Sequence, residues 1–211
     1  IEQDIIALKE AKPISLSALT ATKEAYSALS TNGKGLVRNF NDLKALETLY
    51  KEALNVVKLI NELDTEVRDF AKKTVSAQTA YEKLTLASKE VVDNKKKLDE
   101  LLPFAQVMND IDAIRATAKD FKVQLEAATA KYKTLATTNP VKPEDPKKDY
   151  VAAATYRLVT EYGPKLAAHQ GTADRAKAME DKIEALKSKS GQIFMNDLKI
   201  VSDEYKKLDS T

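Results

Sequence analysis

The chain has no cysteine, no tryptophan, one histidine and only five glycines in 211 residues. Each shortage excludes something. Without cysteine there is no disulfide framework, no thiolate metal site and no cysteine nucleophile. Few glycines among abundant Ala, Lys, Leu and Glu mean few helix breakers, so composition points to an all-α chain. No apolar run approaches membrane-spanning length, and no basic-then-apolar leader is visible. An excess of one charge is missing too. Lys plus Arg number 34 against 32 Asp plus Glu, a formal net charge of +2. That is too small to argue for a nucleic-acid partner, and short basic runs such as Lys95-Lys96-Lys97 read as solvated helix faces.

What is present is apolar residues at helical spacing. Ile5, Ile6 and Leu8 predict one face of an opening helix that Pro13 stops, with Lys12 before it biased toward extended backbone. Ser15 or Ser17 then caps a helix carrying Leu19, Thr22, Tyr26 and Leu29. Thr31-Asn32-Gly33-Lys34-Gly35 reads as a tight helix-ending corner. Beyond it Leu36, Phe40, Leu43, Leu46, Tyr50, Leu54, Val57, Ile60 and Leu63 step by three or four, predicting one long helix of roughly 42 Å at 1.5 Å per residue.

The pattern returns at an offset of 55. Ile5 falls on Ile60, Leu8 on Leu63, Tyr26 on Tyr81, Leu29 on Leu84, Lys34 on Lys89, Val37 on Val92, Asn39 on Asn94 and Leu43 on Leu98. Register held through a turn marks an internal repeat. Ser88-Lys89-Glu90 replaces the glycine corner, with Ser88 the expected cap, and Pro103 is expected to kink the second long helix or open a new one. A third copy starts at Ile111 and Ile114 and runs through Leu125, Ala128, Tyr132 and Leu135. Its corner is enlarged by an insertion with Pro140, Pro143 and Pro146, which exclude regular helix, followed by a predicted helical turn or two from Asp149 to Thr155. Gly163-Pro164 restarts the long helix, and Ile183 and Leu186 open a fourth copy with Met195, Leu198, Val201, Tyr205 and Leu208. The expected units are 1–63, 64–114, 115–186 with the insertion 137–155, and a partial copy 187–211. A fourth copy without its long helix, and an opening Ile, predict an excerpt of a longer protein.

Ala25-Tyr26-Ser27-Ala28-Leu29, followed by Val37-Arg38-Asn39-Phe40-Asn41-Asp42-Leu43, resembles the helical repeat of large Gram-positive surface proteins, S-layer and S-layer-like proteins among them. The second copy keeps Ala80-Tyr81 and Val91-Val92-Asp93-Asn94, but Lys95 stands where an aromatic is usual; the third has Glu161 in the Asn place. Stacked repeats of this kind, none able to bury its face alone, predict tandem three-helix bundles sharing long connecting helices in an elongated rod. The resemblance implies a structural spacer or scaffold at the cell wall, whose partners are other domains of the same surface protein or neighbouring copies in a lattice.

No residue set announces chemistry. His169 has no acidic residue three or four positions away, Leu166 and Ala173 holding the nearest such places, so one helix face offers no metal motif. Gly33-Lys34-Gly35 lacks the spacing of a phosphate loop, and no serine sits in a nucleophile elbow. Acidic residues are everywhere and expected in exposed contacts with Lys. No catalytic residue, cofactor or metal ligand is therefore assigned. Tyr26, Tyr81, Tyr132 and Tyr205 could stack on sugar rings of a wall polysaccharide or host glycan, but their register with Leu29, Leu84, Leu135 and Leu208 favours core packing. Asn39 and Asn94 are expected to make a local backbone hydrogen bond that fixes the corner. The insertion is expected either to be a tolerated surface loop, to brace a neighbouring bundle, or to carry a binding site. A membrane-active helical toxin component ranks last, since no long uniformly apolar hairpin is found.

Overall fold

The computed structural model describes residues 1–11 and 14–208, the last by its backbone alone. The expected stop at Lys12-Pro13 and the place of Leu208 on its stripe lie outside the described residues. Among those described there is helix and no strand. In chain order the helices are α1 (Glu2–Glu10), α2 (Leu16–Ser27), α3 (Thr31–Leu36), α4 (Phe40–Leu49), α5 (Lys51–Asn61) and α6 (Phe70–Glu82). There follow α7 (Leu86–Glu90), α8 (Lys95–Ala113), α9 (Phe121–Leu135) and α10 (Tyr150–Arg157). A π-helical turn (Leu158–Tyr162), α11 (Gly163–Leu186) and α12 (Gly191–Leu208) complete the chain. The residues fall into two compact units, one of Ile1–Asn109 with Thr137–Arg157, the other of Asp110–Ala136 with Leu158–Thr211.

In the first unit α1, α2 and α4 each pack on the other two, and α5 packs on α4, α6 and α7. Ser15 caps α2 by accepting from the Ala18 amide at 3.2 Å, which satisfies one of the amides left bare at a helix start. Ile5 and Leu8 of α1 are buried with Leu16, Leu19 and Thr22 of α2. Ile6 is exposed, not on the inner face: it lies 100° around the helix from Ile5, whereas Leu8 is nearly a full turn on.

Two expectations about the Thr31–Leu63 stretch are corrected. The glycine corner is itself a short helix. Ser30 accepts from the Gly33 amide at 3.2 Å and starts α3, so Gly33 and Gly35 lie in helix and neither has positive φ. The long helix is also interrupted. Val37–Asn39 separates α3 from α4, and at Tyr50 (φ −104, ψ 13) α4 gives way to α5. Helical bonding is kept on both sides of the bend, from the Tyr50 amide to Leu46 and from the Leu54 amide to Tyr50, at 3.0 and 2.8 Å. Just past the bend the buried stripe moves by one position. Ala53 and Val56 are sealed where Leu54 and Val57 were expected, Ile60 and Leu63 are buried as expected, and Leu36 is exposed.

The second copy repeats the corner of the first, while α8 runs unbroken where α4 and α5 part. Thr85, not Ser88, caps α7, accepting from the Ser88 amide at 3.2 Å, the counterpart of Ser30 and Gly33. Pro103 lies inside α8 on its exposed side and opens no new helix. The turn before α6 and the turn before α9 match at an offset of 51. The Phe70 amide donates to Val67 and the Phe121 amide to Ala118, both at 3.1 Å.

The second unit packs α9 on α11 and α11 on α12. Pro164 sits in the first turn of α11, directly after the π turn. A proline there has no N–H to give, and its ring needs room that the wider π turn supplies. Leu166, Met179 and Leu186 are buried on α11, but Ile183 is exposed, contrary to its expected place in a fourth core.

Candidate functional site

The most specific arrangement is a joint that occurs twice. Where α4 begins, the Asn39 side-chain amide donates to the Glu2 carbonyl of α1 at 3.0 Å. Where α8 begins, the Asn94 amide donates to the Val57 carbonyl of α5 at 2.9 Å and to Asn61 Oδ1 at 2.9 Å. Donor and acceptor both move by 55 positions. The expected local bond at the corner is thus a tertiary one, joining the start of one helix to the helix that opened the copy. In both residues Oδ1 is buried without a hydrogen-bond partner in the protein. Opposite charges flank each joint, with their signs reversed. Lys9 meets Asp42 at 2.9 Å in the first copy. At the same two positions of the second copy stand Asp64 and Lys97, and Asp64 acts electrostatically on Lys97. Lys97 Nζ also donates to the carbonyls of Asn61 and Leu63 at 3.3 and 3.0 Å, closing the C-terminal end of α5. Burial pushes its ammonium below the usual lysine value; Asp64 pulls it back up, and Lys147 pushes it further down.

Tyr26 and Tyr81 sit beside these joints, half-buried. Tyr26 stacks on Phe40 with ring centroids 4.2 Å apart and planes 11° apart. In the second copy Lys95 takes the position of Phe40, and its ammonium lies 4.7 Å from the Tyr81 ring centroid. In the third, Tyr132 runs against Gly163, where an added Cβ would stand 2.7 Å from the phenol oxygen. Tyr205 is exposed, so its expected core place is not met.

The insertion folds onto the first unit. After an extended stretch in which Asn139 takes φ 54 ahead of Pro140, α10 begins one residue later than the sequence predicts. Lys142 pairs with Glu66 at 3.0 Å. The Tyr150 hydroxyl donates to Glu100 at 2.5 Å, which holds that phenol above its usual range. From α10, Arg157 Nη1 donates to the carbonyls of Thr65 and Val67 at 2.6 and 2.5 Å, gripping the turn before α6. Arg157 and Glu100 were not singled out in the sequence, and Lys97, expected on a solvated face with Lys95 and Lys96, is instead half-buried and bonded to the end of α5. Their partners are chiefly backbone carbonyls or distant residues, which leave no local pattern; only Lys95 in the Phe40 place could have been read as a partner for Tyr81.

Among the open clefts in the first unit are these two. One of about 410 Å³ is bounded by Leu19, Lys23, Glu47, Leu54 and Val57. The other, about 500 Å³ on the insertion, is bounded by Val141, Pro143, Lys148, Asp149, Tyr150 and Val151. His169 is half-buried and edge-on to Phe121, ring centroids 6.3 Å apart. Among the described residues no three His, Asp or Glu side chains gather in a way that could hold a metal ion, and no helix is long and apolar enough to cross a membrane.

No protein-family model matches the chain, and no match was found among curated proteins or solved structures.

Proposed function

We propose that the chain is a non-catalytic structural spacer or scaffold of a bacterial cell-surface protein of S-layer type, built of tandem three-helix units that share helices in an elongated rod. The observation that carries this reading is the recurring joint. Asn39 on Glu2 and Asn94 on Val57 keep donor, acceptor and register across 55 positions. The same positions are given to holding helix on helix rather than to a reacting group. A single unbroken α8 holds both Leu98, which answers Leu43, and Ile111, which opens the next copy, and this favours helices shared between successive units. The cell-surface placement rests on the resemblance of the Ala-Tyr-x-x-Leu and Val-x-Asn-aromatic segments. Its partners are neighbouring domains or lattice copies. Small-angle scattering tests the rod: a maximum dimension near that of a 211-residue globule sinks it.

A second reading, a binding module for wall polysaccharide or host glycan, draws on the insertion cleft that Tyr150 lines. Tyrosine fluorescence during titration with wall polysaccharide tests it, and an unchanged signal at millimolar sugar counts against it.

A further inference from the structure

Asn32-Gly33 is the one Asn-Gly pair of the sequence, and it lies in the first turn of α3. A glycine after an asparagine has no Cβ to obstruct its own nitrogen, which can then reach the asparagine side-chain carbonyl. Asn32 is exposed, and its side chain makes no hydrogen bond to another described residue. α3 buries none of its six residues, and two of them are glycine, so packing and propensity do little to hold it. Its cap does more. The Gly33 amide, too near the helix start for a helical acceptor, donates to Ser30 Oγ at 3.2 Å, and the Lys34 amide donates to the Ser30 carbonyl at 2.9 Å. The second copy keeps the cap as Thr85 but has Ala87-Ser88 at the matching positions. The reactive pair is therefore peculiar to the first corner.

We propose that Asn32 is a site of spontaneous deamidation and that the Ser30 cap sets its rate. While α3 is closed, the Gly33 N–H is held by Ser30 and the helical backbone keeps that nitrogen from the Asn32 carbonyl. Reaction waits for α3 to open, a local event that does not need the first unit to unfold. The freed Gly33 nitrogen gives its proton to solvent base and attacks Asn32 Cγ. A C–N bond forms, closing a cyclic imide; the Cγ–Nδ2 bond breaks, and Nδ2 leaves as ammonia with a proton from solvent. Water then opens the ring. Attack at Cγ restores the original main chain with an aspartate, and attack at the main-chain carbonyl carbon leaves the chain running through Cγ as isoaspartate. The balance is one water consumed and one ammonia released, with no oxidant or reductant. Either product lowers the formal net charge of +2 by one. Isoaspartate also adds a carbon to the main chain between Ser30 and Gly33, which moves the Gly33 amide off its cap and leaves the first corner open.

The test is incubation of the folded full chain in mildly alkaline buffer, followed by tryptic digestion and tandem mass spectrometry. The peptide of residues 24–34 should gain one mass unit and separate into aspartate and isoaspartate forms. The peptide of residues 52–58, whose exposed Asn55 precedes the β-branched Val56 inside α5, should stay unchanged over the same interval. Ser30→Ala should speed the conversion about fivefold, the effect of losing one cap, and should quicken hydrogen exchange at the Gly33 amide by the same factor. Ser30→Thr, which installs the cap of the second copy, should leave the rate near that of the parent chain, and Gly33→Ala should slow it strongly. Ser30 is exposed, so its variants keep the fold, which far-UV circular dichroism checks. A peptide 24–34 that stays unmodified in the folded chain overturns the site, all the more if the urea-unfolded chain is modified there. Conversion at a rate indifferent to Ser30→Ala overturns the control by the cap, and so does conversion that speeds up without faster exchange at Gly33.

Discussion

Replacing Arg157 with Ala tests whether the insertion is a brace. Arg157 Nη1 makes two short bonds to carbonyls of a turn some ninety residues earlier, Thr65 and Val67. Hydrogen bonds from a charged donor are each worth about 1.5–3 kcal/mol net. The two losses are unequal. Val67 O also accepts from the Phe70 amide at 3.1 Å and keeps a partner. Thr65 is 3% exposed, so its carbonyl loses a donor where water has little access. Allowing for the freedom the released side chain regains, Arg157→Ala should cost about 3 kcal/mol. In urea unfolding followed by far-UV circular dichroism, that moves the midpoint down by about 1.5 M at a typical slope. Hydrogen exchange should quicken at residues 64–70 before it does elsewhere in the first unit. Lys142→Ala is the control: it breaks the exposed pair with Glu66, whose side chains are 59% and 53% accessible, and should leave the midpoint where it is. An Arg157→Ala midpoint no lower than that of Lys142→Ala would refute the brace.

Phe70 is fully buried and Phe121, its counterpart, half-buried, so Phe70→Ala should cost about 4 kcal/mol and Phe121→Ala about half as much in the same unfolding assay. Gly163→Ala gains helix propensity but places Cβ 2.7 Å from the Tyr132 hydroxyl oxygen. We expect a net loss of about 1 kcal/mol, removed when Tyr132→Phe is added; a double-mutant cycle without coupling refutes the close approach. Lys97 and Tyr150 act oppositely in alkali. The lowered Lys97 value means the folded state sheds that proton first, so its contribution to stability rises as pH climbs from the folded value toward 10.5. The raised Tyr150 value gives a contribution fully present below 10.0 and lost as pH passes the folded value. Lys97→Met should therefore remove an alkaline gain, on top of a constant loss of its bonds to the Asn61 and Leu63 carbonyls, and Tyr150→Phe should remove an alkaline loss. Urea midpoints along a pH series read both.

The spacing of Ile5, Ile60 and Ile111 is visible in the sequence because burial of one helix face demands apolar residues every three or four positions. The Tyr50 bend is not visible. A helix bent by one position keeps three-and-four spacing on both sides, and only the shift from Val57 to Val56 reveals it. Gly33 and Gly35 mislead because a Ser30 cap outweighs two poor helix formers over six residues. Asn39 and Asn94 stand out as repeated polar residues, yet the acceptor each uses at the matching position is a main-chain carbonyl on another helix, which any side chain could accompany. Ile183 and Tyr205 carry the pattern of a core without being covered, since spacing records which face is apolar and not what lies on it. The prolines of the insertion announce a loop, while its grip on the turn at Thr65 depends on Arg157 reaching backbone, which no spacing rule encodes.

The reversed charges beside the two joints have a consequence for how the chain finds its own partners. Both joints use the same asparagine bond and similar apolar stripes, so each helix start could in principle settle on the wrong acceptor during folding. Such mispairing is the characteristic failure of repeated sequences. With Lys9 opposite Asp42 in one copy and Asp64 beside Lys97 in the other, an exchange would set Asp42 against Asp64 and Lys97 against Lys9. Each wrong docking then carries a like-charge clash, and the correct one does not. The charges work as addresses: they add little to the strength of either joint and a good deal to which helix it accepts.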